Sequence, residues 1–167
     1  STRKKKPYLE NFEVEKDDLE NAFANSRPSK KMINNFFFKN FKKYNINKII
    51  TFDGRRDIFL CEKAGVKFNY IKIEDLQQDL NRECNYLFSL NKLGVAINFR
   101  NDASFLYSNN LKYYLHPIAA RQIEPKSAAF DAARLLMVYN EFTQHKENFL
   151  LKAALLLNKI QQNTVPE

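Results

Sequence analysis

Two aspartates stand in patterns that suit metal-ion or phosphate chemistry. The first, Asp57, follows the segment Thr51–Arg56, where a β-prone apolar run reaches a glycine and a helix begins. Ligands collect at the carboxyl ends of strands in α/β sheets, and a carboxylate there is a hard oxygen ligand for a divalent cation. The alternative is structural: Asp53 caps the new helix and Asp57 stabilises its positive end.

The second aspartate, Asp131, lies in a helix-like segment whose neighbouring alanines and leucine are spaced to face a core. A carboxylate beside such a stripe is costly to bury unless it meets a cation or a metal. The structural alternative is a half-exposed aspartate paired with Arg134 or Lys126. Both interpretations stay open from the residues alone.

Basic side chains accompany aromatic ones near the first of these segments. Lys42 and Lys43 lie among phenylalanines and a tyrosine, and Arg55 and Arg56 stand where the predicted strand ends. Cations and rings together suit a single-stranded backbone and its bases, and the guanidinium fork suits phosphate. The net charge of +8 favours a polyanionic partner. A lysine-rich composition is also what AT-rich coding produces, so charge alone does not decide.

The elements that must position these residues alternate between helix and strand, which predicts an α/β fold. Ser29 is the expected cap of the first helix, and Gly65 and Gly94 are the expected helix terminators. Residues 1–29 are predicted to be a basic, loosely ordered segment, and residues 30–167 are predicted to form one domain. Within that domain, residues 95–124 show no clear helix or strand pattern. Apolar periodicity predicts strands over 46–52 and 68–73, and helices over 30–44, 55–64, 74–80, 85–93, 127–141 and 148–160.

In order and spacing, these segments resemble the motifs of DEDD-type 3′–5′ exonucleases, members of the ribonuclease H-like superfamily. Asp57–Leu60 is similar to the end of the second motif, and Ala128–Ala132 is similar to the third. Between them, Ile71–Gln77 resembles a strand that ends in Asp and enters a helix, and Ser89–Gly94 resembles the short helix that follows. The resemblance implies a ribonuclease H-like mixed sheet flanked by helices, lacking part of the amino-terminal sheet.

In that family, four carboxylates hold two divalent metal ions that activate water and stabilise the leaving oxygen. The resemblance therefore implies that Asp57 and Asp131 are catalytic acids and ligands of Mg²⁺ or Mn²⁺. Glu13 and Glu15 resemble the first acidic motif, but only 42 residues separate Glu15 from Asp57, where the family has two further strands. Either the true first motif lies outside this chain or the domain has lost it.

The family's general base is also missing. The family has a histidine five residues before the last aspartate, and here Lys126 holds that position. The tyrosine variant of the family has its base one residue later, where this chain has Ser127. A lysine is a poor base unless its pKa falls strongly. His116 lies beside a proline and is expected to be structural or exposed.

We therefore expect a nucleic-acid-binding, exonuclease-like domain of reduced or lost activity, in which Arg55, Arg56, Lys126, Lys42 and Lys43 contact RNA or DNA. One alternative is an active metal-dependent 3′–5′ exonuclease. Another is a protein-interaction module unrelated to nucleic acid. Protein partners are expected at the apolar carboxy-terminal helix.

Composition supports a packed domain, with 44% hydrophobic and 28% charged residues. The apolar runs fall short of the roughly 20 residues that a membrane-spanning helix needs, and Ser1–Lys6 does not lead into an apolar stretch. The expectation is a soluble intracellular protein, cytoplasmic or nuclear, without a membrane partner. Cys61 and Cys84 are expected to be reduced and packed as small apolar groups.

Overall fold

A computed structural model describes residues 29–164 of the chain. Helices hold 60% of the described residues and strands 12%, so the mixed α/β class is confirmed and its sheets are small. The chain divides into two compact units, Ser1–Asp75 and Leu76–Glu167, and each is described by itself. The single domain predicted over 30–167 stays a prediction.

The amino-terminal unit alternates helices and strands in the order predicted from the sequence. Residues at the helix ends explain the boundaries: the Ser29 hydroxyl accepts the Met32 amide at 3.1 Å, and Gly65 adopts the left-handed conformation, φ +95°, after the second helix. The elements of this unit are α1 (Lys30–Lys43), β1 (Lys48–Thr51), α2 (Arg55–Lys63) and β2 (Lys72–Asp75).

The two strands β1 and β2 pair in parallel, with Lys48 opposite Lys72 and Thr51 opposite Asp75. Helix α2 forms the crossover between them, as a parallel pair requires. Phe37 and Phe41 of α1 pack against Phe68, with ring centroids 6.1 and 6.0 Å apart. This aromatic cluster secures α1 to the segment that leads into β2.

The second strand begins later than the predicted range 68–73. Phe68 joins the aromatic cluster, and its carbonyl accepts the Ile71 amide at 2.9 Å, which closes a turn. Tyr70, within this turn, is 94% exposed. The β-prone residues before Lys72 are therefore used for the turn and the cluster, because pairing with β1 starts only at Lys72.

The carboxy-terminal unit combines helices with a three-stranded antiparallel meander in the order β3-β4-β5. Its core includes Met137, Val138, Phe149 and Ala153 of the two long helices and Leu76, Leu80, Phe88, Leu93, Ile97 and Leu106 of the elements before them. The elements are α3 (Leu76–Cys84), α4 (Leu90–Ala96), β3 (Arg100–Asp102), β4 (Phe105–Tyr107), β5 (Lys112–Tyr114), α5 (Pro117–Gln122), α6 (Ala128–Gln144) and α7 (Lys146–Thr164).

The helix predicted over 85–93 is present, but its predicted start and its termination at Gly94 are wrong. Asn85 has φ +51° at the end of α3, and α4 begins after Ser89, whose hydroxyl accepts the Lys92 amide at 3.2 Å. Gly94 lies inside α4, where an added Cβ would come within 2.9 Å of the Arg134 side chain. The glycine thus permits the close approach of the Arg134 side chain and does not end the helix.

Among residues 29–164, no helix is both long and apolar enough to cross a membrane. The described residues form one two-stranded parallel sheet and one three-stranded antiparallel sheet. A ribonuclease H-like sheet stays a prediction.

Candidate nucleic-acid interface

Asp57 lies in the first turn of α2 with its side chain exposed, which suits a carboxylate at the positive end of a helix. Asp53 does not cap this helix, because the cap residue is Gly54 and no side chain bonds there. The Asp75 carboxylate instead accepts the Asp53 amide at 3.0 Å and the Gly54 amide at 2.9 Å. Asp75 thus ties the end of β2 to the loop after β1.

The predicted phosphate-binding cations of this unit lie on its surface. Arg55 and Arg56 are exposed at the start of α2, and Lys42 and Lys43 are exposed at the end of α1. Residues 29–75 contain eleven Lys and Arg but five Asp and Glu, a net charge of +6. The amino-terminal unit therefore supplies most of the chain's excess positive charge.

Some aromatic residues at the carboxyl end of α1 point to solvent, while another is half-buried against neighbouring rings. Phe38 and Tyr44 are 62% and 63% exposed, and the Lys42 and Lys43 ammonium groups lie 4.7 and 5.1 Å from their ring centroids. Phe37 belongs to the aromatic cluster. The predicted pairing of lysines with aromatic rings is thus observed at the carboxyl end of α1.

Asp131 lies in the first turn of α6, and its side chain is 63% exposed. An Arg134 guanidinium nitrogen stands 3.5 Å from its carboxylate, which is the structural pairing foreseen from the sequence. Ser127 caps the same helix by accepting the Phe130 amide at 3.0 Å. Lys126, the residue in the general-base position, is exposed in a left-handed turn with φ +65°.

The acids that resemble the family's two-metal site lie in separate parts of the chain. Within residues 29–164, no three His, Cys, Asp or Glu side chains lie close enough together to hold a metal ion. Asp57 belongs to the amino-terminal unit and Asp131 to the carboxy-terminal unit, so their convergence stays a prediction. Glu13 and Glu15 lie outside the described residues.

His116, which was expected to be structural or exposed, has a structural role at the start of α5. Its Nδ1 accepts the Ile118 amide at 3.2 Å, and Pro117 occupies the first position of α5. A ring nitrogen that accepts an amide proton at a helix start acts as a cap.

The carboxy-terminal unit carries a surface that the sequence did not reveal. In the meander, Tyr107 is opposite both Arg100 and Lys112, and Phe105 is opposite both Asp102 and Tyr114. Directly opposite residues project from the same side of an antiparallel sheet. We call this side the basic–aromatic face; it consists of Arg100, Asp102, Phe105, Tyr107, Lys112 and Tyr114.

Cations and rings alternate on the basic–aromatic face at contact distance. The Arg100 guanidinium lies 5.3 Å from the Tyr107 ring centroid. The Lys112 ammonium lies 4.3 Å from the Phe105 centroid and 5.5 Å from the Tyr107 centroid. Tyr114 is 66% exposed, and both cations are exposed. A ligand can therefore reach rings and cations at the same time.

The opposite side of the meander is fixed to the helices of the same unit. Leu106 of β4 is buried, and the Glu141 carboxylate of α6 holds the turn between β4 and β5. Glu141 accepts the Ser108 hydroxyl at 2.6 Å, the Asn110 amide at 2.7 Å and the Asn110 Nδ2 at 2.9 Å. This buried anchor keeps the strands in register and so positions the basic–aromatic face.

A polar cleft of about 670 Å³ borders the face at Arg100. The side-chain amides of Asn98 and Asn109 meet in its wall, with the Asn98 Nδ2 donating to the Asn109 Oδ1 at 2.7 Å. Its lining residues are Val95, Asn98, Phe99, Arg100, Ser108 and Asn109. Space for a polar ligand therefore continues beyond the edge of the sheet.

Comparison with known proteins finds no match: no family model, no curated protein and no solved structure is similar to this chain.

Proposed function

We propose that this chain is a nucleic-acid-binding domain, exonuclease-like in its motifs and ribonuclease H-like in its fold, that binds nucleic acid without cleaving it. The observation that carries the proposal is the basic–aromatic face, where Arg100 and Lys112 stand among three rings on an accessible sheet surface. Cations that neutralise phosphates release counterions, and aromatic rings accept bases. The two kinds of group together suit a nucleic acid better than a protein or a small anion.

The amino-terminal unit supports the same proposal through its charge. Its net charge of +6 over residues 29–75 attracts a polyanion, and Arg55 and Arg56 supply exposed guanidinium groups at the start of α2. Lys42 and Lys43 add cations beside exposed rings. These residues are proposed as phosphate contacts.

Loss of cleavage is proposed because Lys126 stands where the family has its histidine base, and two other residues near the expected base position already accept helix amides. The Lys126 ammonium has no lone pair to accept a proton. The Ser127 hydroxyl and the His116 Nδ1 both accept helix amides. The acidic residues Asp57 and Asp131 then serve the starts of their helices, where negative charge is favourable.

The binding test is fluorescence anisotropy with a labelled oligonucleotide at several salt concentrations. We expect affinity that falls as salt rises, because each neutralised phosphate contributes about 0.7 to the logarithmic slope for a single strand. The double variant Arg100→Gln, Lys112→Gln should reduce that slope by about 1.4. Lys159→Gln, an exposed lysine of the same unit, is the matched control. No binding at low salt, or an unchanged slope in the double variant, would contradict the proposal.

The cleavage test uses the same oligonucleotide with Mg²⁺ or Mn²⁺ and follows its length by gel electrophoresis. We expect the oligonucleotide to stay intact. Stepwise shortening from the 3′ end that Asp57→Ala and Asp131→Ala both abolish would establish an active metal-dependent exonuclease instead.

A protein-interaction function is the second candidate, and exposed leucines favour it. Leu151 and Leu155 lie four residues apart on α7 and are 58% and 49% exposed, and Leu136 of α6 is 47% exposed. Large apolar side chains at helical spacing are typical of surfaces that bind a partner protein. Failure to bind any nucleic acid at low salt would leave this function in place of the first.

A further inference from the structure

The angles between the rings of the basic–aromatic face limit which form of nucleic acid can stack on them. The Phe105 centroid lies 6.0 Å from Tyr107 with the planes at 41°, and 5.8 Å from Tyr114 with the planes at 71°. The three rings are neighbours, but their planes are strongly inclined to one another. Ligand groups that stack on them cannot stay parallel.

The bases of a double-stranded nucleic acid cannot stack on three rings that are inclined to one another. Neighbouring bases in a duplex are parallel, about 3.4 Å apart, and they cover one another's faces. A single strand rotates freely about its backbone, so each base can meet a ring at its own angle. The Phe105 ring carries no hydrogen-bonding group, so what it offers a nucleic acid is an apolar stacking surface.

We infer that the basic–aromatic face binds single-stranded nucleic acid and discriminates against duplex, with unpaired bases stacked on Tyr114, Phe105 and Tyr107 while Arg100 and Lys112 contact backbone phosphates. The inference rests on the proposed function and names its substrate class. It also explains why Tyr114 is exposed and Phe105 and Tyr107 are only half-buried on strands whose opposite side is anchored by a buried carboxylate.

In this proposal Lys112 contacts aromatic rings in the free protein and a phosphate in the complex. In the free protein its ammonium covers the Phe105 ring at 4.3 Å and the Tyr107 ring at 5.5 Å. An exposed cation–π contact is weaker than the stacking of a base on a ring. An arriving base therefore displaces the ammonium, which is then available to a phosphate beside that base.

The face also carries one carboxylate. Asp102 lies opposite Phe105, so the face has two cations and one anion. An anion beside the path of the backbone weakens phosphate binding. Asp102→Asn is thus expected to tighten binding of a single strand, whereas a partner bound only through apolar contact would not respond.

The test is fluorescence anisotropy with a labelled single strand and with a hairpin duplex of the same base composition. We expect the single strand to bind at least about tenfold tighter, since stacking of bases on rings changes affinity by about 5- to 150-fold for each ring. Tyr114→Leu should weaken single-strand binding within that range and leave duplex binding unchanged. Tyr114→Phe retains the ring and should preserve affinity.

The matched control is Tyr70→Leu, which removes a 94% exposed tyrosine from the amino-terminal unit and should change nothing. Circular dichroism checks that the variants fold. Equal affinity for the two ligands, or an unchanged affinity in Tyr114→Leu, overturns the inference while salt-dependent binding would still support the proposed function. Absence of binding to either ligand at low salt overturns both.

Discussion

Replacement of Glu141 tests whether one buried carboxylate holds the basic–aromatic face in place. Its side chain is 1% exposed and accepts three hydrogen bonds, from the Ser108 hydroxyl and from the backbone and side chain of Asn110. A hydrogen bond to a charged group contributes about 1.5–3 kcal/mol, and a buried donor left without a partner costs about 1–3 kcal/mol. Glu141→Ala removes all three acceptor contacts and leaves a cavity.

Because Asn110 is exposed, water can replace the carboxylate as its hydrogen-bond partner. The loss of stability therefore comes mainly from the unpaired Ser108 hydroxyl and from the cavity. We expect Glu141→Ala to lower the free energy of unfolding by about 3 kcal/mol. Glu141→Gln keeps the side-chain shape and one acceptor oxygen. Its amide nitrogen replaces the oxygen that accepts the Asn110 Nδ2, so two donors face each other there. This variant should cost about 1 kcal/mol.

Urea denaturation followed by circular dichroism measures both values. Glu147→Ala, an exposed glutamate of the following helix, is the control and should cost less than about 1 kcal/mol. The Ala variant should also lose single-strand binding, since the turn that aligns β4 with β5 is released. Equal costs for the Ala and Gln variants, or a cost below about 1 kcal/mol for Ala, would refute the anchoring role.

Three further predictions concern the amino-terminal unit and the thiols. Asp75→Ala should lower the free energy of unfolding by about 2 kcal/mol because two loop amides lose their acceptor, and Asp75→Asn should cost less; urea denaturation checks both, and equal costs would contradict the role of the charge. Gly65→Ala should cost about 1–2 kcal/mol by the same measurement, since the residue has φ +95°; no loss would show that the turn relaxes. Burial, and secondarily Asp57, raises the pKa of the Cys61 thiol, and burial also raises the pKa of Cys84. A raised pKa leaves less reactive thiolate near neutral pH, so both thiols should alkylate more slowly than a free cysteine, and faster as the pH rises. Asp57→Asn should speed iodoacetamide modification of Cys61 while Cys84 stays unchanged, and equal acceleration of both would contradict this account.

The helices were predictable because their signals are local. Ser29 and Ser127 cap the helices expected after them, and Gly65 ends α2 as its position predicts. A cap is a bond between residues three apart, so adjacent sequence contains both partners. Asn85 and Gly94 misled the prediction of α4 because their roles depend on a left-handed turn and on contact with another helix.

The structural roles of single acids were only partly predictable. The start of α2 at Arg55 and the pairing of Asp131 with Arg134 lie within one helical turn, so spacing suffices to foresee them. The bonds from the loop after β1 to Asp75 span more than 20 residues, and those to Glu141 span more than 30. No local pattern distinguishes such an acid from an exposed one.

By itself, the sequence determined the helical segments, the positive charge and the order of motifs that suggests a nucleic-acid partner, because these depend on neighbouring residues and on composition. Tertiary structure alone decided the basic–aromatic face. Its three strands have three residues each, too few for an alternating pattern to be read. Arg100, Tyr107 and Lys112 share one side only through strand register, and that register depends on Leu106 and Glu141 packing in the interior.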